Sequence, residues 1–183
     1  MKVVITGAGG GGANNIITTI KERENYFLIG FDISEYKVAR ANVDRRFVVP
    51  PASSPDYEAK ISRIISEQKP ELIIPTNDPE VEKLSEIRDR LGTQLFFPDH
   101  ESVALCLDKW KFYNFAMEKG IRMAETYHVE SLDGVDGIFS KFDSDMLWCR
   151  AIKGAGSKGA TKVKDADQAK WWIKYWNEMR GMK

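Results

Sequence analysis

The chain has 183 residues, 43% of them hydrophobic and 30% charged, which suits one folded domain or one and a fraction and excludes two full catalytic lobes as well as a disordered or collagenous chain. Its 27 Lys and Arg balance 27 Asp and Glu, so overall charge does not hold it to nucleic acid or an anionic membrane, and any such attraction must be local. No apolar run approaches the roughly 18 residues of a membrane helix and no signal-peptide pattern leads the chain, so a cytoplasmic protein with neither nucleic acid nor membrane as partner is expected.

In chain order, the β-branched run Lys2–Thr6, ended by glycines, predicts a buried parallel strand. Ala13, Ile16, Ile17 and Ile20 then recur at helical spacing, with Lys21, Glu22 and Arg23 behind them. Phe27–Phe31 ending at Asp32, Phe47–Val49, Leu72–Ile74 ending at Pro75, and Leu95–Phe97 predict further strands. Tyr57, Ile61, Ile64, Ile65 and Gln68 mark a helix with Asp56 near its start, and Val81, Leu84, Ile87 and Leu91 mark another closed by Gly92. Strands and helices alternating in this way predict an α/β fold, a doubly wound parallel sheet, over residues 1 to about 98.

Residues 108–183 read as a smaller α+β unit. Asp108–Lys119 predicts a helix rich in aromatics and stopped by Gly120; Thr126–Glu130 a strand; Gly134–Lys141 a short helix; Met146–Ile152 and Thr161–Lys164 two strands joined by a glycine-rich turn. A last helix starts at Asp165 and stops at Gly181. Its stripe Ala169, Trp172, Ile173 and Trp176 should pack on the hairpin, with Trp171 and Tyr175 to one side, facing solvent, a second lobe or the neighbouring copy of a homodimer, unless one broad apolar face buries both sets in a single core. The only cysteines, Cys106 and Cys149, and the only histidines, His100 and His128, lie too far apart for a zinc or disulfide pattern, and both cysteines are expected to be small buried hydrophobes.

Two glycine-rich loops carry the functional signals. Gly7, Gly9 and Gly12 make GxGxxG between a strand and a helix, and Asp32 ends the next strand 20 residues on, where a ribose-binding carboxylate of an NAD site would stand. A tight strand-to-helix turn also wants glycines for their own sake, and an Asp at a strand end often caps a turn. Both readings stay open on the residues alone. The second loop, Lys153-Gly154-Ala155-Gly156-Ser157-Lys158-Gly159, joins two strands behind Arg150. Its backbone N–H groups, a serine hydroxyl and three cations suit a polyphosphate. From Arg150 onward nine Lys and Arg face three acidic residues, so this neutral chain has a basic end.

The order of these features resembles the ATP-grasp superfamily, in particular proteins similar to the large subunit of carbamoyl-phosphate synthase. The matching residues are Met1 to Gly9, Val48-Val49-Pro50, Ile74-Pro75-Thr76-Asn77-Asp78-Pro79-Glu80, the pair Asp108-Lys109 opening a helix that ends in Gly120-Ile121, and Arg150 before the glycine hairpin. One departure is Ala151, where the family keeps proline after the cation.

The resemblance implies a Rossmann-like pre-ATP-grasp domain at 1–107 and the first lobe of an ATP-grasp domain at 108–183. It implies ATP as cofactor, with Lys109 and Arg150 on its phosphates and Lys153, Gly154, Ala155, Gly156, Ser157, Lys158 and Gly159 covering them. Magnesium ligands and the adenine hinge are expected in a second lobe that does not follow Lys183, so this stretch is expected to be an inactive N-terminal part of an ATP-dependent ligase. The ligase would activate a small carboxylate as an acyl phosphate. Substrate would lie at the sheet's C-terminal edge near Gly9, Gly10, Asn77, Asp78 and Glu80, although Asp78 and Glu80 read more simply as caps of the helix they open. In this family the first glycine loop does not hold a dinucleotide, and an NAD-binding enzyme and a non-catalytic nucleotide-binding or scaffold module remain as alternatives.

Overall fold

The structure, a computed structural model, describes residues 1–154 and 156–181. The chain divides into two compact units, Met1–Val103 and Ala104–Lys183. Among the described residues no helix is long and apolar enough to cross a membrane.

In the first unit β1 (Lys2–Thr6), β2 (Phe27–Asp32), β3 (Arg45–Val48), β4 (Leu72–Ile74) and β5 (Gln94–Leu95) form one sheet in the order β3-β2-β1-β4-β5. All four pairings are parallel. Successive side chains of a strand point to opposite faces, and β1 divides accordingly. Val3 and Ile5 join Leu28, Ala13 and Ile17 beneath helix α1 (Gly11–Arg23). Val4 joins Ile29, Phe31 and Ile73 on the other face, against α3 (Tyr57–Gln68) and α4 (Asp78–Glu86). Burial on both faces is why the central strands are continuous apolar runs rather than alternating ones.

The sheet matches the expected doubly wound pattern, with local differences, among them β5, which covers Gln94–Leu95 and does not run on to Phe97. A five-residue helix, α2 (Glu35–Ala39), follows β2, with the Ser34 hydroxyl accepting from Lys37 N at 3.3 Å. β3 begins two residues before the apolar run, at Arg45, because it is an edge strand whose outer positions face solvent. The helix read through Leu91 ends at Glu86 and continues as a single 3-10 turn, Arg88–Arg90, which still buries Ile87 and Leu91. A further helix, α5 (His100–Leu107), starts where the Asp99 carboxylate accepts from Ser102 N at 2.9 Å and contains the point where the two units divide.

The second unit holds α6 (Lys109–Glu118), α7 (Val135–Phe139), the antiparallel pair β6 (Leu147–Arg150) and β7 (Ala160–Val163), and α8 (Ala166–Arg180). The caps read from sequence form: Asp108 accepts from Trp110 N and Lys111 N, and Asp165 from Gln168 N. Gly120 and Gly181 take positive φ at the far ends. Its core is thin: Val135, Val163 and Ala169, with Val129, Leu147, Cys149 and Ile173 against them. The strand expected at Thr126–Glu130 does not form. Its side chains find partners without one: His128 stacks on Trp110 at 5.4 Å, Tyr127 meets Phe142 edge-on at 5.3 Å, and Val129 enters the core. On α8, Ala169 and Ile173 pack on the hairpin while Trp171 and Tyr175 stack on each other at 5.5 Å and stay 63% and 41% exposed. Cys149 is half-buried, which raises its thiol pKa. Cys106, expected inside, is exposed.

Candidate functional site

The predicted residues fall into two groups, one in each unit. Gly9, Gly10, Asn77, Asp78 and Glu80 gather at the C-terminal edge of the parallel sheet. Lys109, Arg150, Lys153, Gly154, Gly156, Ser157, Lys158 and Gly159 gather around the β6–β7 hairpin. Ala155 lies outside the described residues.

In the first group the loop after β1 is tied down on every side. Gly7 takes φ +58, and a Cβ on it would sit 2.8 Å from Thr76 Oγ1 and 2.9 Å from Asn77 Nδ2. That close approach brings the loop against the one after β4, where Thr76 Oγ1 donates to Thr6 O at 2.7 Å. Gly9 is squeezed from the other side, since a Cβ there would meet Lys37 backbone and Cβ atoms at 2.5 Å. Asp32 is 5% exposed and spends both oxygens on the chain: Oδ2 accepts from Gly9 N and Oδ1 from Ser34 N, each at 3.0 Å. These glycines and this carboxylate therefore hold the turn together, and the geometry favours the structural reading of GxGxxG over a ribose-binding one.

Glu80 is the unexpected member. The helix cap is Asn77, whose Oδ1 accepts from Glu80 N at 3.1 Å; Asp78 stands in the first turn, and neither Asp78 nor Glu80 caps α4. The Glu80 carboxylate is buried instead, accepting from Tyr57 Oη at 3.1 Å and from Asn77 Nδ2. Burial pushes its pKa up, and the charge of Asp32 adds to that. Burial and the adjoining carboxylate raise the Tyr57 phenol as well. The sequence offered no sign of the Tyr57–Glu80 bond, which joins residues 23 apart.

The second group is built on the hairpin. Register pairs Leu147 with Val163, Trp148 with Lys162, Cys149 with Thr161 and Arg150 with Ala160. Leu147, Cys149 and Val163 face the core, so Trp148, Arg150 and Lys162 share the outer face. Trp148 is 56% exposed there and Arg150 is also exposed. Sequence reading missed Trp148 and Lys162, although two-residue alternation along the hairpin carries that information. The connecting turn closes with Ala151 N donating to Gly159 O at 3.0 Å and Ala160 N to Ser157 O at 3.1 Å. Gly154, Gly156, Ser157 and Gly159 all take positive φ. Three are glycines, which reach that region at little cost; among the described residues Ser157 and Lys69 are the two non-glycine residues with positive φ.

Lys109 reaches this turn across 43 residues: its Nζ donates to Ile152 O at 3.2 Å and Gly154 O at 2.9 Å, and its backbone N to Ile152 O at 3.1 Å. Beside the hairpin lies a cavity of about 430 Å³ with mostly apolar walls, among them Trp110, Phe139, Leu147, Trp172 and Trp176, and with Lys109 and Arg150 on its lining. An apolar hollow with a few convergent polar groups is the usual form of a small-molecule site. The hairpin and its cations suit a nucleotide. Among the described residues no cluster of three His, Cys, Asp or Glu side chains is placed to hold a metal ion.

Residues 3–96 match the family described as the PylC-like, N-terminal domain. No curated protein matches the chain in sequence. Among solved structures it resembles L-amino acid ligase from Bacillus licheniformis, with a TM-score of 0.73, 11% identity, and coverage of 96% of this chain and 42% of that one. It also resembles the biotin carboxylase domain of Hydrogenobacter thermophilus 2-oxoglutarate carboxylase, in complex with MgADP, ADP and bicarbonate (TM-score 0.71, 14% identity, 98% of this chain and 42% of that one). A third is N5-carboxyaminoimidazole ribonucleotide synthetase from Thermotoga maritima (TM-score 0.64, 18% identity, 92% and 43%). At these identities the likeness establishes the fold, and the chain spans less than half the length of each neighbour. The chain belongs to the PylC-like N-terminal domain family and carries the fold of the N-terminal part of ATP-grasp ligases.

Proposed function

We propose that the chain supplies the phosphate-gripping part of an ATP-dependent ligase that activates a small carboxylate as an acyl phosphate for attack by an amine or another nucleophile. The observation that carries this reading is the hairpin, where Gly154, Gly156, Ser157 and Gly159 take positive φ and Arg150, Lys153 and Lys158 stand in the same ten-residue stretch. Negative charge shifts over the transferring phosphoryl group, so its catalysis rests on positioned cations and N–H donors. Lys109 and Arg150 are assigned to the nucleotide phosphates, and residues 153–159 cover the β and γ phosphates. Trp148, exposed on the same face as Arg150, offers the base an aromatic surface.

The carboxylate substrate is assigned to the sheet edge, at the exposed first turn of α1 beside Gly9 and Gly10 and next to Asn77 and Asp78. The first N–H groups of a helix lack intrahelical partners and favour an anion. Glu80 supports this edge from below, through Asn77. The exposed Trp171–Tyr175 stack on α8 is assigned to a protein contact, in the first instance a second copy of the chain. Light scattering across a concentration series tests it, and a strict monomer at high concentration would remove it.

Calorimetric titration with ADP and ATP tests the central assignment. We expect weak binding, millimolar at best, that falls further in Arg150→Ala and Lys109→Ala. Micromolar binding indifferent to both substitutions would sink the site, and tight binding of NAD would return attention to the first glycine loop.

A further inference from the structure

We infer that Lys109 is a positioning residue for the glycine hairpin, a latch that sets the turn's backbone before any nucleotide arrives. This rests on the reading of that hairpin as the phosphate-binding element. The ammonium sits between two carbonyls of the same short segment, 3.2 Å from Ile152 O and 2.9 Å from Gly154 O. The backbone N–H of Lys109 makes a third bond, to Ile152 O at 3.1 Å. One residue at the head of α6 thereby pins the exit of β6 at two points.

The base of Lys109 is itself held, since Asp108 caps the helix through Trp110 N and Lys111 N. Two features make the pin consequential. Gly154, at φ +132, is in a backbone region open to glycine alone among common residues, and without an outside partner it would sample many conformations. A trans peptide also points its C=O and N–H in opposite directions. An Ile152 carbonyl turned to the ammonium therefore turns the Lys153 N–H the other way, and the strand leaves β6 with its donors already oriented. Preorganisation of this kind lowers the ordering cost that a ligand must otherwise meet.

Amide hydrogen exchange on the nucleotide-free chain tests the latch. Wild type is compared with Lys109→Met, which keeps length and loses the donors, and with Lys109→Arg, which keeps donors for two carbonyls. In Lys109→Met, the amides of Ala151 and Ala160, which donate to Gly159 O and Ser157 O across the turn, should exchange about tenfold faster, the loss expected from one charge-assisted bond, while α8 and the parallel sheet stay unchanged. Lys109→Arg should restore part of the protection. Unchanged hairpin exchange in Lys109→Met overturns the inference, because a lysine that served only to touch phosphate would leave the empty hairpin as it was.

Should Lys109→Met fail to fold, the wild-type chain still decides the matter by acetylation. A latched Lys109 should react several-fold more slowly than the exposed Lys162 and Lys164, and equal rates overturn the latch. Titration of the wild-type and Lys109→Arg chains with ADP separates the two claims. Faster exchange in Lys109→Met with no ADP binding to wild type overturns the nucleotide reading and keeps the latch; ADP binding with unchanged exchange does the reverse.

Discussion

The two glycine loops of this chain have similar composition and opposite employment. The loop of Gly7 to Gly12 lies between parallel strands and helices that crowd it: Gly7 meets Thr76 and Asn77, Gly9 meets Lys37, and Asp32 takes the Gly9 N–H. The hairpin of Gly154 to Gly159 leaves β6 and enters β7 with a Cβ on Gly156 facing open space. Glycine serves close packing in the first and backbone conformation in the second. A glycine motif thus announces an unusual backbone, and the neighbours decide whether close packing or a turn conformation calls for it.

Alanine substitution should break the two loops unequally. Gly9→Ala drives a methyl into the Lys37 backbone, which cannot swing aside as a side chain would. A loss of about 3 kcal/mol in urea unfolding of the first unit is expected, at the upper end for overpacking. Arg150→Ala should leave that unfolding unchanged and weaken nucleotide binding about tenfold to a hundredfold, the worth of one charge-assisted contact. Loss of first-unit stability in Arg150→Ala would blur the division of labour. Gly156→Ala should cost only about 1 kcal/mol, the penalty of positive φ for a residue with a Cβ, and confined to the hairpin in hydrogen exchange. A global loss as large as that of Gly9→Ala would erase the contrast.

The smallest expected effect is a pH dependence. The folded-state pKa of Glu80 is raised above its ordinary value of 4.5 by burial, and Asp32 adds to the shift. The folded chain thus binds the proton more tightly than the unfolded one, so this group's contribution is fully present below the unfolded pKa and lost as pH rises through the folded one. Glu80→Gln carries no titrating carboxyl. Relative to that variant, wild type should lose stability steadily from about pH 4.5 upward. A difference between the two that stayed constant with pH would mean that Glu80 is not held in a desolvated site.

Much of the fold was legible because its signals are local. Lys2–Thr6, Phe27–Asp32 and Leu72–Ile74 read as buried strands from apolar runs alone, and Asp108, Gly120, Asp165 and Gly181 marked helix ends by chemistry within one turn. The hairpin was legible too, because three cations, three glycines and a serine fall within ten residues. Where neighbours in space were needed, the residues were silent or misleading. Thr126–Glu130 has a strand's composition, yet the stack of His128 on Trp110 and the edge contact of Tyr127 with Phe142 hold it as irregular chain. Glu80 looked like a helix cap until Tyr57 and Asn77 closed over it, and Asp32 looked like a ribose ligand until Gly9 and Ser34 took its oxygens. Lys109 meets its carbonyls 43 and 45 residues away. Periodicity and caps are written in bonds between near neighbours, so the sequence by itself determined most of the elements; which polar groups remain open to a ligand depends on what packs against them, and only the tertiary structure decided that.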